Sequence, residues 1–208
     1  MADVGGGAGA DGPGGPADRE TAALAARIRA APPSCGPVRL VAVDGHAGSG
    51  KTTFAGRLAA ALGGAPVVHL DDLATHREPF GWTVRLRRQV LEPLAAGRTA
   101  EHRVYDWTLR RFDAVRAVPP APVVLLEGVG AGRREIRPWL ALLLWMELDA
   151  PDARRRGELR DGPELARFWA DWARAEQAHF AADPSRPYAD GLVHGVTGRI
   201  ASGTLGEL

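Results

Sequence analysis

Bulky apolar side chains are almost absent from residues 1–18, where Gly, Ala, Pro and Asp dominate. Such a stretch cannot offset the entropy of ordering, so a disordered tail is expected at 1–18 and a single domain over 19–208. From Arg19 the pattern changes. Leu24 and Ile28 recur four apart among alanines, which predicts a short amphipathic helix over 19–31, stopped by Pro32-Pro33. Residues 38–43 alternate little and are rich in β-branched side chains, which fits a strand buried on both faces.

The same grammar repeats along the chain. A helix is predicted over 52–62, ended by Gly63-Gly64, followed by a short strand over 66–70 and a helix over 83–96. Further strands are expected at 123–126 and 140–148, and a last one at 191–196. The longest helical pattern, 163–182, places Leu165, Phe168, Trp169, Trp172 and Glu176 at spacings of three and four, with Asp161 as a cap. Aromatics at helical spacing read first as core packing. Strands alternating with helices imply an α/β fold with a parallel sheet flanked by helices.

Composition narrows the partners. Basic and acidic residues number 26 and 25, a net charge of +1, so no single-sign field points to nucleic acid or an anionic membrane. The strongly apolar run at 139–148 is about half of the ~20 residues a membrane-spanning helix needs. No signal-peptide layout opens the chain, and Cys35 is the only cysteine, so a soluble protein in a reducing, cytoplasmic setting is expected. Of the 26 basic residues only Lys51 is lysine. A chain this biased toward arginine keeps a compact ammonium at one position, where a planar guanidinium is a poor substitute.

That position lies in Gly45-His46-Ala47-Gly48-Ser49-Gly50-Lys51-Thr52, a P-loop set between a predicted strand and a predicted helix. Gly45, Gly48 and Gly50 let backbone N–H groups turn inward as a cradle for phosphate oxygens at the positive end of the helix. Lys51 is placed for the β- and γ-phosphates, Thr52 for Mg²⁺ and Thr53 for the α-phosphate; His46, Ala47 and Ser49 complete the loop. ATP with Mg²⁺ is the expected ligand. A guanine-reading Asn-Lys-x-Asp segment would need a second lysine, and the Leu-Ser-Gly-Gly-Gln segment of transporter ATPases is absent. A small-molecule kinase is the leading class. A regulatory ATPase with no small acceptor is the rival.

Three segments together, the P-loop with its preceding Val41-Ala42-Val43-Asp44, then His69-Leu70-Asp71-Asp72-Leu73, then Leu125-Leu126-Glu127-Gly128-Val129, resemble the uridine kinase group of P-loop kinases. The resemblance runs from about Val38 to Gly195 and implies a three-layer P-loop NTPase fold with a short lid. It implies Asp71 as the base that takes the acceptor's proton and helps order magnesium, and Glu127 as a second magnesium-ordering carboxylate. Asp71 and Asp72 are neighbours whose side chains would diverge on a strand, so only one can serve, and Asp71 is the choice. The resemblance also implies a lid after the fourth strand, in which Arg156 and Arg160, four apart, would close on the transferring phosphoryl group. Arg154-Arg155-Arg156 reads equally as a solvated helix face.

On the acceptor side, Tyr105-Asp106-Trp107 falls in an otherwise irregular stretch. A carboxylate flanked by aromatics suits a ribose or polyol, which makes Tyr105 and Asp106 candidate substrate residues. The lid is short and Leu73-Ala74 follow the acidic pair, where uridine kinases carry aromatics. A nucleoside or similar sugar-like alcohol is the expected acceptor. An acidic acceptor, clamped by arginines at 85–88 or 110–111, is the alternative. Nothing in the sequence bears on oligomeric state.

Overall fold

The computed structural model describes residues 15–201. The tail expected at 1–14 lies outside them, but 16–18 do not behave as a tail: α1 spans Pro16–Ala30, with Pro16 in its first turn, where its missing N–H costs nothing. The chain continues through β1 (Arg39–Asp44), α2 (Lys51–Ala61) and β2 (Val67–His69). Next come α3 (Thr83–Leu86), a π-turn at Arg87–Leu91 and α4 (Glu92–Ala95), which together form the helix expected at 83–96. A hairpin of β3 (Ala100–Asp106) and β4 (Arg111–Val118) precedes β5 (Val123–Glu127) and β6 (Leu142–Glu147). Two helices, α5 (Ala150–Asp161) and α6 (Ala166–Ala182), lead to β7 (Gly191–His194).

Five strands form one parallel sheet in the order β2-β5-β1-β6-β7. Strand alternation splits its core in two. Leu40 and Ala42 of β1 join Val124 and Leu126 of β5 against Trp82, Leu86, Leu91 and Leu94. Val41 and Val43 join Leu125 and Leu144 against Leu24, Ile28, Phe54 and Leu58. The result is three layers, helices on both faces of a parallel sheet, as expected. In the register Val43 lies opposite Glu127 and His69 opposite Glu127 on the other side, so β1, β2 and β5 end level with one another. Ligands of such sheets gather outside these carboxyl ends.

Two expectations fail here. The stretch around Tyr105-Asp106-Trp107 is the tip of the antiparallel β3–β4 hairpin, not irregular chain. Asp161 does not cap the long helix: it is the last residue of α5, and α6 starts from Leu165 after a 3₁₀ turn (Pro163–Leu165) with no side-chain cap. Gly162, at φ 90°, breaks the two helices apart and leaves Asp161 facing Arg160. Among the described residues no helix is long and apolar enough to cross a membrane.

Candidate active site

The P-loop connects β1 to α2. Its glycines are demanded by neighbouring backbone as well as by the turn. A Cβ on Gly48 (φ 86°) would stand 2.0 Å from the Ala153 carbonyl oxygen of α5, and one on Gly50 (φ 94°) 2.6 Å from the Gly195 carbonyl oxygen. The loop is thus wedged between α5 and the segment after β7. Asp44, fully buried at the end of β1, accepts N–H bonds from Gly45 (2.7 Å), Gly130 (2.8 Å) and Gly132 (2.8 Å). One carboxylate therefore fastens the start of the P-loop to the loop after β5. Lys51 donates to the carbonyl oxygens of Gly45 (3.0 Å) and His46 (2.9 Å), arched over the loop it belongs to.

On the other flank, Glu176 of α6 accepts the Ala47 N–H at 2.8 Å and meets His46 Nδ1 at 3.1 Å. The His46 ring packs edge-on against Trp145 and Phe180. Its side chain holds the outside of the loop.

Glu127, buried at the end of β5, has a partner on each oxygen: the Thr52 hydroxyl at 3.3 Å and His69 Nδ1 at 2.7 Å. The bond to Glu127 raises the His69 pKa above its ordinary value against the opposing effect of burial. Asp71 lies on the 3₁₀ turn Leu70–Asp72 that caps β2, reaching into the cleft. Its side chain meets solvent there but is ringed by protein, and that enclosure, with the nearby Glu127 charge, pushes its carboxyl above the usual range while Lys51 and His69 pull the other way. Asp72 turns away to His102 Nε2 (3.1 Å) and Arg116 (2.7 Å), holding the hairpin. The two carboxylates do diverge, through the turn rather than through strand alternation. Thr52 and Glu127 are hard oxygen donors of the kind magnesium takes, and the mutual repulsion of Glu127 and Asp71 is relieved by a cation. Among the described residues no group of three His, Cys, Asp or Glu could hold a metal alone, so phosphate oxygens and water must complete such a shell.

Two cavities meet at this point. One, of about 240 Å³, is lined by Gly48, Gly50, Lys51, Thr52 and Thr53, with Arg156 and Arg160 of α5 opposite. The other, of about 320 Å³, is lined by Ala47, Asp71, His76, Trp107, Phe168 and Trp172, among others, and again by Arg160, with Asp161 beside it. Arg160 is thus common to both. Its Nε and Nη2 bond the two carboxylate oxygens of Asp161 at 2.6 and 2.9 Å, and Trp169 Nε1 donates to Asp161 at 3.2 Å. The Arg160 partner holds the Asp161 carboxyl below its ordinary range. Arg156 donates to the Gly195 carbonyl oxygen at 3.1 Å. Arg154 and Arg155 pair with Glu158 and Asp152 on the exposed face of the same helix.

Tyr105 and Asp106 do not line either cavity. Asp106 accepts the Thr108 and Leu109 N–H groups (2.8 and 2.7 Å) and closes the hairpin turn, while the buried Tyr105 hydroxyl meets His76 Nδ1 at 3.1 Å. The next residue along faces the cavity instead: Trp107, whose Nε1 donates to the Asp71 carbonyl oxygen at 3.2 Å. Arg85 is taken up by the Leu73 carbonyl oxygen and Glu78, Arg87 by Glu92 and Arg111 by Asp113. The aromatic stripe of α6 divides: Trp169 is 3% exposed, whereas Phe168 and Trp172 form open cavity wall with His76 and Trp107. Asp44 and Trp107 stand in segments the sequence singles out, though not for these contacts, whereas His76, Asp161 and Glu176 belong to this region without a motif to announce them. The only available signal is the alternation of aromatic and acidic residues in α6.

No family model and no curated protein matches the chain. Solved structures do. A possible uridine kinase from Bacillus stearothermophilus superposes with a TM-score of 0.60 at 22% identity, over 84% of this chain and 97% of that one. D-glycerate 3-kinase from Cryptococcus neoformans var. grubii gives a TM-score of 0.56 at 16% identity, over 91% and 99%. At these identities the likeness is one of fold, a parallel sheet flanked by helices that this chain shares with both kinases.

Proposed function

We propose that the protein transfers the γ-phosphate of Mg·ATP to a hydroxyl group of a small molecule, a nucleoside or similar sugar-like alcohol. The observation that carries this reading is the seam between the two cavities, where Asp71 stands on the aromatic side and Arg160 borders both. A nucleotide-binding protein without an acceptor has no need of a second chamber opening on a carboxylate.

In this reading Gly45 to Thr53 cradle the triphosphate, and Lys51 exchanges its two carbonyl partners for phosphate oxygens. Magnesium held through Thr52 and Glu127, with Asp71 nearby, supplies neutralising charge on those oxygens. Asp71 takes the proton of the acceptor hydroxyl as the oxygen–phosphorus bond forms and the bond from Pγ to the β–γ bridging oxygen breaks, that electron pair leaving with ADP. A carboxyl held above its ordinary pKa is better matched to this task than an unperturbed one. Arg160 and Arg156 stabilise charge on the transferring group while α5 excludes water. Tyr105 and Asp106 act at one remove, steadying His76 and the turn that presents Trp107.

A panel of nucleosides, sugars and small alcohols, scored for ADP release under Mg·ATP, tests the reading. Stimulation by at least one alcohol, with a phosphorylated product, is expected; slow ATP hydrolysis indifferent to every alcohol would point to a regulatory ATPase.

A further inference from the structure

Arg160 is the only guanidinium or ammonium group lining the 320 Å³ cavity among the described residues, and it is already engaged by a carboxylate. Two of its nitrogens are bonded to Asp161, a second carboxylate in the same lining. Asp161 is in turn fixed by Trp169 Nε1, so the carboxylate end of the pair is anchored while the Arg160 side chain stays exposed. The remaining charge on that wall is Asp71. Burial and the Arg110 charge hold the His76 imidazole below its ordinary value, which disfavours its cationic form. The rest is largely aromatic, Trp107, Phe168 and Trp172, with ring planes at 71° and 76° to Trp107 forming a corner of π-faces. An acidic group entering this chamber would meet two carboxylates against one arginine already paired with one of them, and would lose hydration with little replacement.

We propose that the acceptor carries no acidic group, and that Asp161 sets this preference by occupying Nε and Nη2 of Arg160 and adding a second negative charge to the lining. This rests on the phosphotransferase reading. It separates the protein from kinases of sugar acids or nucleoside monophosphates, which need an unpaired cation at the far end of the acceptor. Asp161 is in this sense a specificity-determining residue: it keeps Arg160 directed at the transferring phosphate and denies it to the acceptor.

The test uses two pairs of probes that differ only in charge, D-glycerate with D-glyceramide and 5-carboxyuridine with uridine-5-carboxamide. Each is titrated calorimetrically into the full-length protein holding Mg²⁺ and the β,γ-imido analogue of ATP. Wild type binds the amide of at least one pair about tenfold or more tighter than the acid, the size of one charge-assisted contact. Asp161→Asn keeps an oxygen for Trp169 but frees Arg160, so the gap closes or reverses; Asp161→Ser serves the same purpose should the first variant fail to fold. Acids bound by wild type as well as amides would overturn the inference, as would a gap unchanged in both variants. Failure of all four probes to bind either form also counts against it, since a freed guanidinium should capture the acids. If the ATP analogue itself does not bind, the nucleotide reading falls, a result visible before any acceptor probe is added.

Discussion

The Ala47 N–H donates to Glu176 Oε1 at 2.8 Å, and the same carboxylate meets His46 Nδ1 at 3.1 Å. Ala47 is the P-loop residue that lines the aromatic cavity, and Glu176 stands one helical turn beyond Trp172, which lines it too. One carboxylate therefore joins the aromatic wall on α6 to the P-loop. Glu176→Ala leaves a buried N–H and an imidazole without their partner, with an expected loss of about 1–3 kcal/mol in stability and weaker nucleotide binding. Glu176→Gln, which keeps an acceptor for Ala47, recovers most of both. Urea unfolding and calorimetric titration of the ATP analogue check the pair.

Asp71 links function to stability through pH. Its carboxyl is held above the ordinary value in the folded protein, so between the unfolded and folded pKa values the folded state binds more protons. Stability contributed by this group is present at low pH and lost as pH rises through that window. Asp71→Asn is therefore expected to melt at a higher temperature than wild type near neutrality, with the difference shrinking toward acid. With Asp71 as the proposed base, the catalytic rate is expected to have the opposite dependence, falling as Asp71 is protonated, on a limb displaced above the usual carboxylate range. Melting curves and rate profiles over pH 3–8, a range of about five units spanning the ordinary carboxylate and histidine values, give both.

Trp107 is bonded to the Asp71 carbonyl oxygen and faces the acceptor chamber. Trp107→Ala removes a wall and loosens the turn that carries Asp71. The acceptor KM is expected to rise about tenfold while the KM for ATP changes little, a split that steady-state kinetics with either substrate varied will show.

Cys35 is fully buried, donates to the Leu91 carbonyl oxygen at 3.4 Å, and its thiol pKa is pushed up to about 11 by burial. Thiolate is scarce near neutrality, so iodoacetamide should leave the native protein unlabelled and react only as fast as the fold opens. Labelling at the rate of a free thiol would place Cys35 outside the core.

The sheet is legible in the sequence because its strands are buried on both faces: 40–43 and 123–126 are continuous apolar runs, and the P-loop pattern requires a helix after β1. The β3–β4 hairpin is not legible. In β4, Arg111 and Asp113 fall at odd positions with Val115, itself 64% exposed, and Arg116 at an even one, so no apolar period marks the strand. The π-turn at Arg87–Leu91 leaves no trace in composition. Asp161 reads as a cap because an acidic residue precedes Gly-Pro; only the break at Gly162 turns it back to Arg160. Phe168 and Trp172 have the spacing of a core stripe, and their role as cavity wall depends on Trp107 and His76, supplied from distant parts of the chain. Asp71 and Glu127 stand out because each closes a strand beside the P-loop.

The central claim is that Asp71 activates an acceptor hydroxyl for attack on nucleotide held by the P-loop. Its most direct measurement is phosphorus NMR of the products from Mg·ATP and an alcohol that stimulates the wild-type protein, run beside Asp71→Asn. Wild type is expected to give a phosphate ester and ADP, and the variant to lose ester formation by about a hundredfold or more with affinity for the ATP analogue retained. Ester formation at the wild-type rate by Asp71→Asn, with analogue binding unchanged, would contradict it.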